Sequence, residues 1–267
     1  MTAITAITAQ NTVGVIAIHA VPAEIVLAQV RAVLADIRVD AVKVGMLGTA
    51  PVTLAVARAL DDLPAGTPVV VDPVMVAESG ARLLDPDAQR ALVEEILPRA
   101  TVLTPNLPEA RVLAGGMDAS SAPNDAGLTD RPGGVAELGD RTSAADDDED
   151  EGDQAEALAR AVLALGPRVV VLTGGHRARA VDLFLDSADP RSPVTIEGAR
   201  HPDGAAHGSG CTHSSVLAAR LALGDSPLNA ARAARALAGD AVANGLRDVG
   251  HGAGPVDVFG LARVRTD

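Results

Sequence analysis

A chain of 267 residues, 48% hydrophobic, with one cysteine and a formal charge of −13, has ample apolar mass for a buried core and cannot build an internal disulfide framework. Lys43 is the only lysine and aromatic residues make up 1%, so the basic footprint and stacking platforms of a nucleic-acid binder are missing. No apolar run reaches the roughly 18 residues of a membrane span or carries the flanks of a signal peptide, which makes the cytoplasm the expected compartment.

Short β-branched runs alternate with stretches of helical period, the pattern of an α/β fold with an open, mostly parallel sheet and helices on both faces. Strands are predicted at 2–8, 13–19, 40–45, 68–72, 101–104, 168–173, 181–185 and 194–199. Helices are predicted where Val26, Val30, Val33 and Ile37 recur at helical spacing, over 51–60 and 87–97, and across two Ala-rich segments, 211–223 and 227–247, joined by GDSP. Residues 116–153 interrupt this order. They hold almost no large apolar side chain and end in six consecutive acids, Asp146 to Glu151, and residues 117–156 carry 13 acidic against 2 basic residues. Most of the negative charge therefore belongs to one segment, for which a disordered surface insertion is expected within a single domain spanning 1–267.

In open α/β sheets ligands bind beyond the carboxyl ends of the strands. Five such ends are unusual: TAQNTVG after 2–8, GMLG after 40–45, DPVM after 68–72, TPNLPEA after 101–104 and TGGH after 168–173. All five are expected at one crevice. HGSGCT supplies two glycines just before a helix, so backbone amides and the helix N-terminus form a cradle for an anion such as a phosphate. The same field favours a thiolate at Cys211, which then has a lowered pKa and accepts a proton from a hydroxyl; the alternative is a small residue packed on the sheet. His201, His207, Cys211 and His213 crowd together but match no zinc spacing. There is no G-x-x-x-x-G-K-[ST].

Asp72 follows a buried strand and precedes Pro73, where its carboxylate can orient Mg²⁺-bound water or a phosphate-bearing ligand. Asn106 and Glu109 sit one turn apart at a helix start. They either face the same hydrated Mg²⁺ or form a capping pair.

Taken in order, TAITAQNTVGV, DAVKVGMLGTA, VVVDPVMVAESGARLL, TVLTPNLPEA, VLTGGH and HGSGCTHSSVLAA resemble the ribokinase-like family and, within it, the hydroxymethylpyrimidine and phosphomethylpyrimidine kinases of thiamine biosynthesis. The resemblance covers nearly the whole chain except 116–153. It implies an ATP-dependent transferase with Mg²⁺ accompanying the nucleotide, acting on a hydroxymethylpyrimidine and its monophosphate, and a homodimer. It implies that Gln10 bonds the aminopyrimidine and Met46 walls its pocket; that Gly208, Ser209, Gly210 and Cys211 form the anion hole, with Cys211 as base; and that Thr173, Gly174 and Gly175 flank the nucleotide phosphates, with Asp72, Asn106 and Glu109 on the Mg²⁺ side. Many relatives carry a lysine at Thr173 and a basic residue at Glu78, so one phosphate-side positive charge is expected to be missing or to be replaced by Arg177. Relatives also begin with a further strand and a Gly/Ser-rich loop bearing an aspartate, whereas Met1 here falls on the later strand, so the product is expected to lack that strand or to start upstream. Pyridoxal kinase activity and a non-catalytic pyrimidine-binding or regulatory role are the rival readings.

Overall fold

A computed structural model describes residues 1–76, 83–115, 144–174, 180–201 and 204–261, with the backbone alone for 144–151. Its centre is a six-stranded sheet in the order β3 (Val42–Val44), β4 (Val69–Val71), β5 (Val102–Leu103), β6 (Val169–Leu172), β7 (Val181–Asp186) and β8 (Asp189–Glu197). The first four strands run parallel and the last two antiparallel. The sheet is mixed because β7 and β8 are joined by a two-residue connection, too short for the crossover that a parallel neighbour requires.

Strand alternation divides the core in two. Val69, Val71, Leu103, Val170 and Leu172 face the helices α1 (Ala23–Leu34), α2 (Ala50–Asp61), α3 (Pro86–Ala91), α4 (Leu107–Ala114) and α5 (Ala144–Leu163). Val70, Val102, Val169 and Val171 face α6 (Ser209–Ala222) and α7 (Pro227–Ala243). Period-2 side chains on strands buried on both faces give such a division directly, and it explains why these runs read as continuously apolar.

Two expectations change. The segments predicted as strands 2–8 and 13–19 are β1 (Ala6–Gln10) and β2 (Val15–Ala20), and they form a separate antiparallel ribbon outside the main sheet. Their connection is a tight turn in which the Asn11 side chain accepts from the amides of Val13 and Gly14, and a turn this short imposes antiparallel pairing. The acidic stretch 144–153, expected as part of a disordered insertion, is the first half of α5. Acidic residues are favoured in the leading turns of a helix, and Ala155, Ala159 and Val162 on the same helix are buried against the core. Residues 116–143 lie outside the described part.

Candidate active site

The four parallel strands end at one rim, and each is followed by a residue singled out from the sequence: Met46 after β3, Asp72 after β4, Asn106 after β5 and Thr173 after β6. Backbone bonds lock neighbouring ends together. Asp72 N–H donates to the Val44 carbonyl at 2.9 Å and Thr173 N–H to the Pro105 carbonyl at 2.8 Å, and Asn106 bridges Thr173. Short buried strands thus set these side chains on rigid supports.

Asp72 is 7% exposed, which makes its charge dependent on partners. It has two. The Ser214 hydroxyl donates to Oδ2 at 3.0 Å, and Lys43 Nζ lies 3.4 Å from the same oxygen. Lys43 sits in the middle of β3 and reaches the rim past Gly45, where a Cβ would come within 2.8 Å of Nζ. Sequence reasoning treated Lys43 only as the chain's one lysine. The signal was present in AVKVGM, a charged residue at the centre of an apolar strand.

Above these groups α6 begins. Its N-cap, Gly208, has φ +88°, in the left-handed region that favours glycine. The turn opens α6 beside Lys43, Asp72 and Glu109. Cys211 is exposed there, and His213 and Ser214, further along the same turn, are buried. The thiol departs from expectation. Although the residue reaches solvent, the protein gathered around the crevice withdraws much of the water near its sulfur and pushes its pKa up; the Lys43 charge lowers it, the Asp72 and Glu109 carboxylates raise it further, and the cysteine's own amide lowers it. Desolvation outweighs the helix start, so the resting thiol holds its proton more firmly than an ordinary cysteine does.

Asn106 and Glu109 form the capping box: the Asn106 side chain accepts from Glu109 N–H at 2.8 Å, and the Glu109 carboxylate accepts from Asn106 N–H at 2.9 Å. Capping does not exhaust Glu109. Burial raises its pKa to about 7, the Asp72 charge adds to that, and amides of Asn106 and Met75 oppose it. The carboxyl is close enough to Asp72 and Cys211 for their charges to act on one another while it closes the helix end, and the capping reading of this pair is the one observed.

Met46 lines a cavity of about 620 Å³ with Lys43, Thr5 and Ser215 along the outer edge of β3, and its carbonyl accepts from the Thr5 hydroxyl at 2.7 Å. Gln10 does not line that cavity; it is exposed at the end of β1. A chain of backbone contacts nevertheless joins its turn to α6. The Thr12 hydroxyl accepts from the amides of His251 and Gly252 at 3.2 and 3.3 Å. Further along this loop the Gly254 carbonyl accepts from His207 N–H and the His207 carbonyl accepts from Val256 N–H. His207 immediately precedes Gly208. Glycine at 252 permits this close approach: a Cβ there would meet the Thr12 carbonyl oxygen at 1.8 Å, so any larger residue makes the turn or the loop shift. Thr12 and the loop 250–254 were missed from the sequence.

Among the described residues no three His, Cys, Asp or Glu side chains converge as a metal cage, and no helix is long and apolar enough to cross a membrane. Two carboxylates, Asp72 and Glu109, do converge. Gly175, Glu78 and Arg177 lie outside the described residues.

A family model described as phosphomethylpyrimidine kinase matches residues 1–128 and 140–257. The chain belongs to this family. A hydroxymethylpyrimidine/phosphomethylpyrimidine kinase of Rhizobium meliloti is 40% identical over 259 residues, which cover 96% of this chain and 84% of the relative. Among solved structures, the phosphomethylpyrimidine kinase of Clostridium difficile superposes with a TM-score of 0.64 at 29% identity, covering 88% of this chain and 83% of that one. An ADP complex of Bacillus subtilis pyridoxal kinase superposes with a TM-score of 0.74 at 28% identity, covering 98% and 86%. The ribokinase-like α/β fold expected from the motifs is thus the fold of this phosphomethylpyrimidine kinase family member.

Proposed function

We propose that the chain transfers the γ-phosphoryl group of ATP to 4-amino-5-hydroxymethyl-2-methylpyrimidine and to its monophosphate, in the biosynthesis of thiamine diphosphate. The observation that carries this reading is the gathering of Lys43, Asp72, Glu109 and Cys211 beneath the Gly208 turn, in a chain 40% identical to a kinase named for that activity.

Phosphoryl transfer demands mainly positioning and electrostatic stabilisation. The substrate hydroxymethyl oxygen, or a phosphate oxygen of the monophosphate, attacks the γ-phosphorus, the bond from phosphorus to the ADP oxygen breaks, and the amides of Gly208, Gly210 and Cys211 face the developing charge, while Ser209 N–H donates to the Ala206 carbonyl at 3.0 Å and holds the turn rather than the anion. Cys211 accepts the hydroxyl proton as a thiolate, which Lys43 favours and the partly desolvated crevice opposes. Turnover is accordingly expected to climb as pH rises above neutral.

The residues present fit Mg²⁺ that arrives with ATP: two carboxylates, one of them already paired with Lys43, suit a cation that keeps most of its other contacts with water and phosphate. Asp72 and Glu109 would meet it, with Asn106 capping beside them, and when bound it neutralises phosphate charge. On the nucleotide side, Thr173 and Gly174 close β6, and a cavity of about 450 Å³ lined by Ile196, His201, Arg232, Arg235 and Gly239 has the size of a small-molecule site. Met46 and Gln10 are assigned to the pyrimidine. A homodimer is supported by the β1–β2 ribbon, which leaves Ile7, Ile16 and Ile18 exposed on two strands that cannot bury them alone.

Steady-state turnover with the hydroxymethylpyrimidine, its monophosphate and pyridoxal, each with Mg-ATP, tests the substrate. The expected result is a higher kcat/KM for both pyrimidines. Preference for pyridoxal, which the higher TM-score to a pyridoxal kinase favours, would overturn the substrate, and binding without turnover would overturn catalysis.

A further inference from the structure

Between the nucleotide-side loop and the anion-hole helix lies a buried polar cluster that the chemistry above does not use. Asp182, the second residue of β7, is wholly buried. Its Oδ1 accepts from Gly174 N–H at 3.0 Å and lies 3.9 Å from Arg235 Nη1 of α7. Its Oδ2 lies 3.4 Å from Nε2 of His213 on α6, itself 4% exposed. Arg235 is held in turn by the Ala180 carbonyl, which accepts from Nη2 at 2.6 Å. One carboxylate therefore touches the loop after β6, the first turns of α6 and the middle of α7.

The cluster is expensive. Asp182 Oδ2, both imidazole nitrogens of His213 and Arg235 Nε are buried without a hydrogen-bond partner, and each such group destabilises the fold unless something compensates for it. An apolar trio would pack the same space more cheaply. At 3.4 Å the His213 contact falls about half an ångström short of a charge-assisted hydrogen bond. A small turn of α6 toward β7 would bring the two within bonding distance.

Resting on the reading of Thr173–Gly174 as the phosphate side and Gly208–Cys211 as the anion hole, we propose that Asp182 and His213 are positioning residues that set the distance between the two. Neither side chain touches a reacting atom. Asp182 holds the Gly174 amide, and the His213 contact draws the start of α6 toward the same carboxylate. The γ-phosphate and its acceptor are thereby kept within reach, where a misplacement of about 1 Å can cost on the order of a hundredfold.

The test compares Asp182→Asn, His213→Leu and His213→Gln with the unaltered chain, measuring kcat, KM for ATP, KM for the hydroxymethylpyrimidine and the thermal midpoint. We expect Asp182→Asn and His213→Leu to raise KM for ATP and lower kcat by about tenfold each, with KM for the pyrimidine within twofold. His213→Gln, which restores a donor, is expected to recover most of the loss. Unchanged kinetics in folded Asp182→Asn and His213→Leu would overturn the proposal. So would losses that follow the thermal midpoint alone, with both KM values rising together and no rescue by glutamine. If Asp182→Asn does not fold, the two His213 variants decide the matter by the same criteria. Cys211→Ala, run alongside, separates the two readings: full activity there rejects the site assignment, whereas its loss with neutral His213 variants rejects only the positioning role.

Discussion

The ends of the parallel strands and the β1–β2 ribbon handle polar work in opposite ways. At the strand ends, Asp72 is buried and its charge is matched within 3.4 Å by Lys43 and Ser214, on three-residue strands whose backbones are bonded to each other. In the ribbon nearly every position of β2 is exposed, and support comes from a distant loop whose amides bond Thr12. The lesson is a division of labour: groups that handle charge are built on the rigid sheet, where a low local dielectric strengthens them. Gln10, proposed above to meet the pyrimidine, lies instead on a two-stranded ribbon outside that sheet.

The largest effect is expected at the sheet. Cys211→Ala should lower kcat by roughly a hundredfold or more with little change in KM for either substrate; retained activity measured at saturation would remove the base role and weaken the contrast. Lys43→Met, which leaves Asp72 without its counter-charge, should cost about tenfold to a hundredfold in kcat and lower the thermal midpoint. A neutral outcome would mean that the carboxylate is held by Ser214 alone.

Glu109→Gln probes the same region through stability. With a folded pKa of about 7 against an ordinary 4.5, the native state holds the proton more tightly than the unfolded chain. The ionisation penalty is absent below pH 4.5, grows as pH rises and is complete above about 7. Denaturant titrations should show stability falling across that window by on the order of 3 kcal/mol, and Glu109→Gln should flatten the curve. Smallest is the expected effect at the ribbon. Gly252→Ala, forced against the Thr12 carbonyl, should raise KM for the pyrimidine about tenfold, equivalent to roughly 1.4 kcal/mol, while leaving KM for ATP alone. If instead kcat collapses as in Cys211→Ala, the ribbon is part of the charge-handling machinery and the division fails.

Much of this was legible because buried parallel strands and their ends have a strong local signature. VVVDP and VVVLTGG announce both the strand and the point where a polar residue must face a crevice, and HGSGCT announces a glycine turn opening a helix. What escaped depended on tertiary context. Lys43 and Asp182 are single charges inside apolar strands, and only the fold reveals that they pair across elements far apart in sequence. The thiol of Cys211 was read from its helix start, a local cause, but desolvation by neighbouring elements is the larger one. The acidic half of α5 carries no apolar period, and its helicity follows from the buried half that continues it. The ribbon had the right strands and the wrong neighbours, since pairing is decided by the length of the turn rather than by the strand pattern.

The carboxyl that caps α4 should also couple binding in the crevice to proton exchange. Near neutral pH Glu109 is only partly ionised, so any charge that enters the crevice must change its occupancy. A phosphate-bearing ligand without a divalent cation should draw protons from solution, and the same ligand with Mg²⁺ should release them. Calorimetric binding enthalpies would then vary in opposite senses with the ionisation heat of the buffer, a signature that vanishes when position 109 no longer titrates.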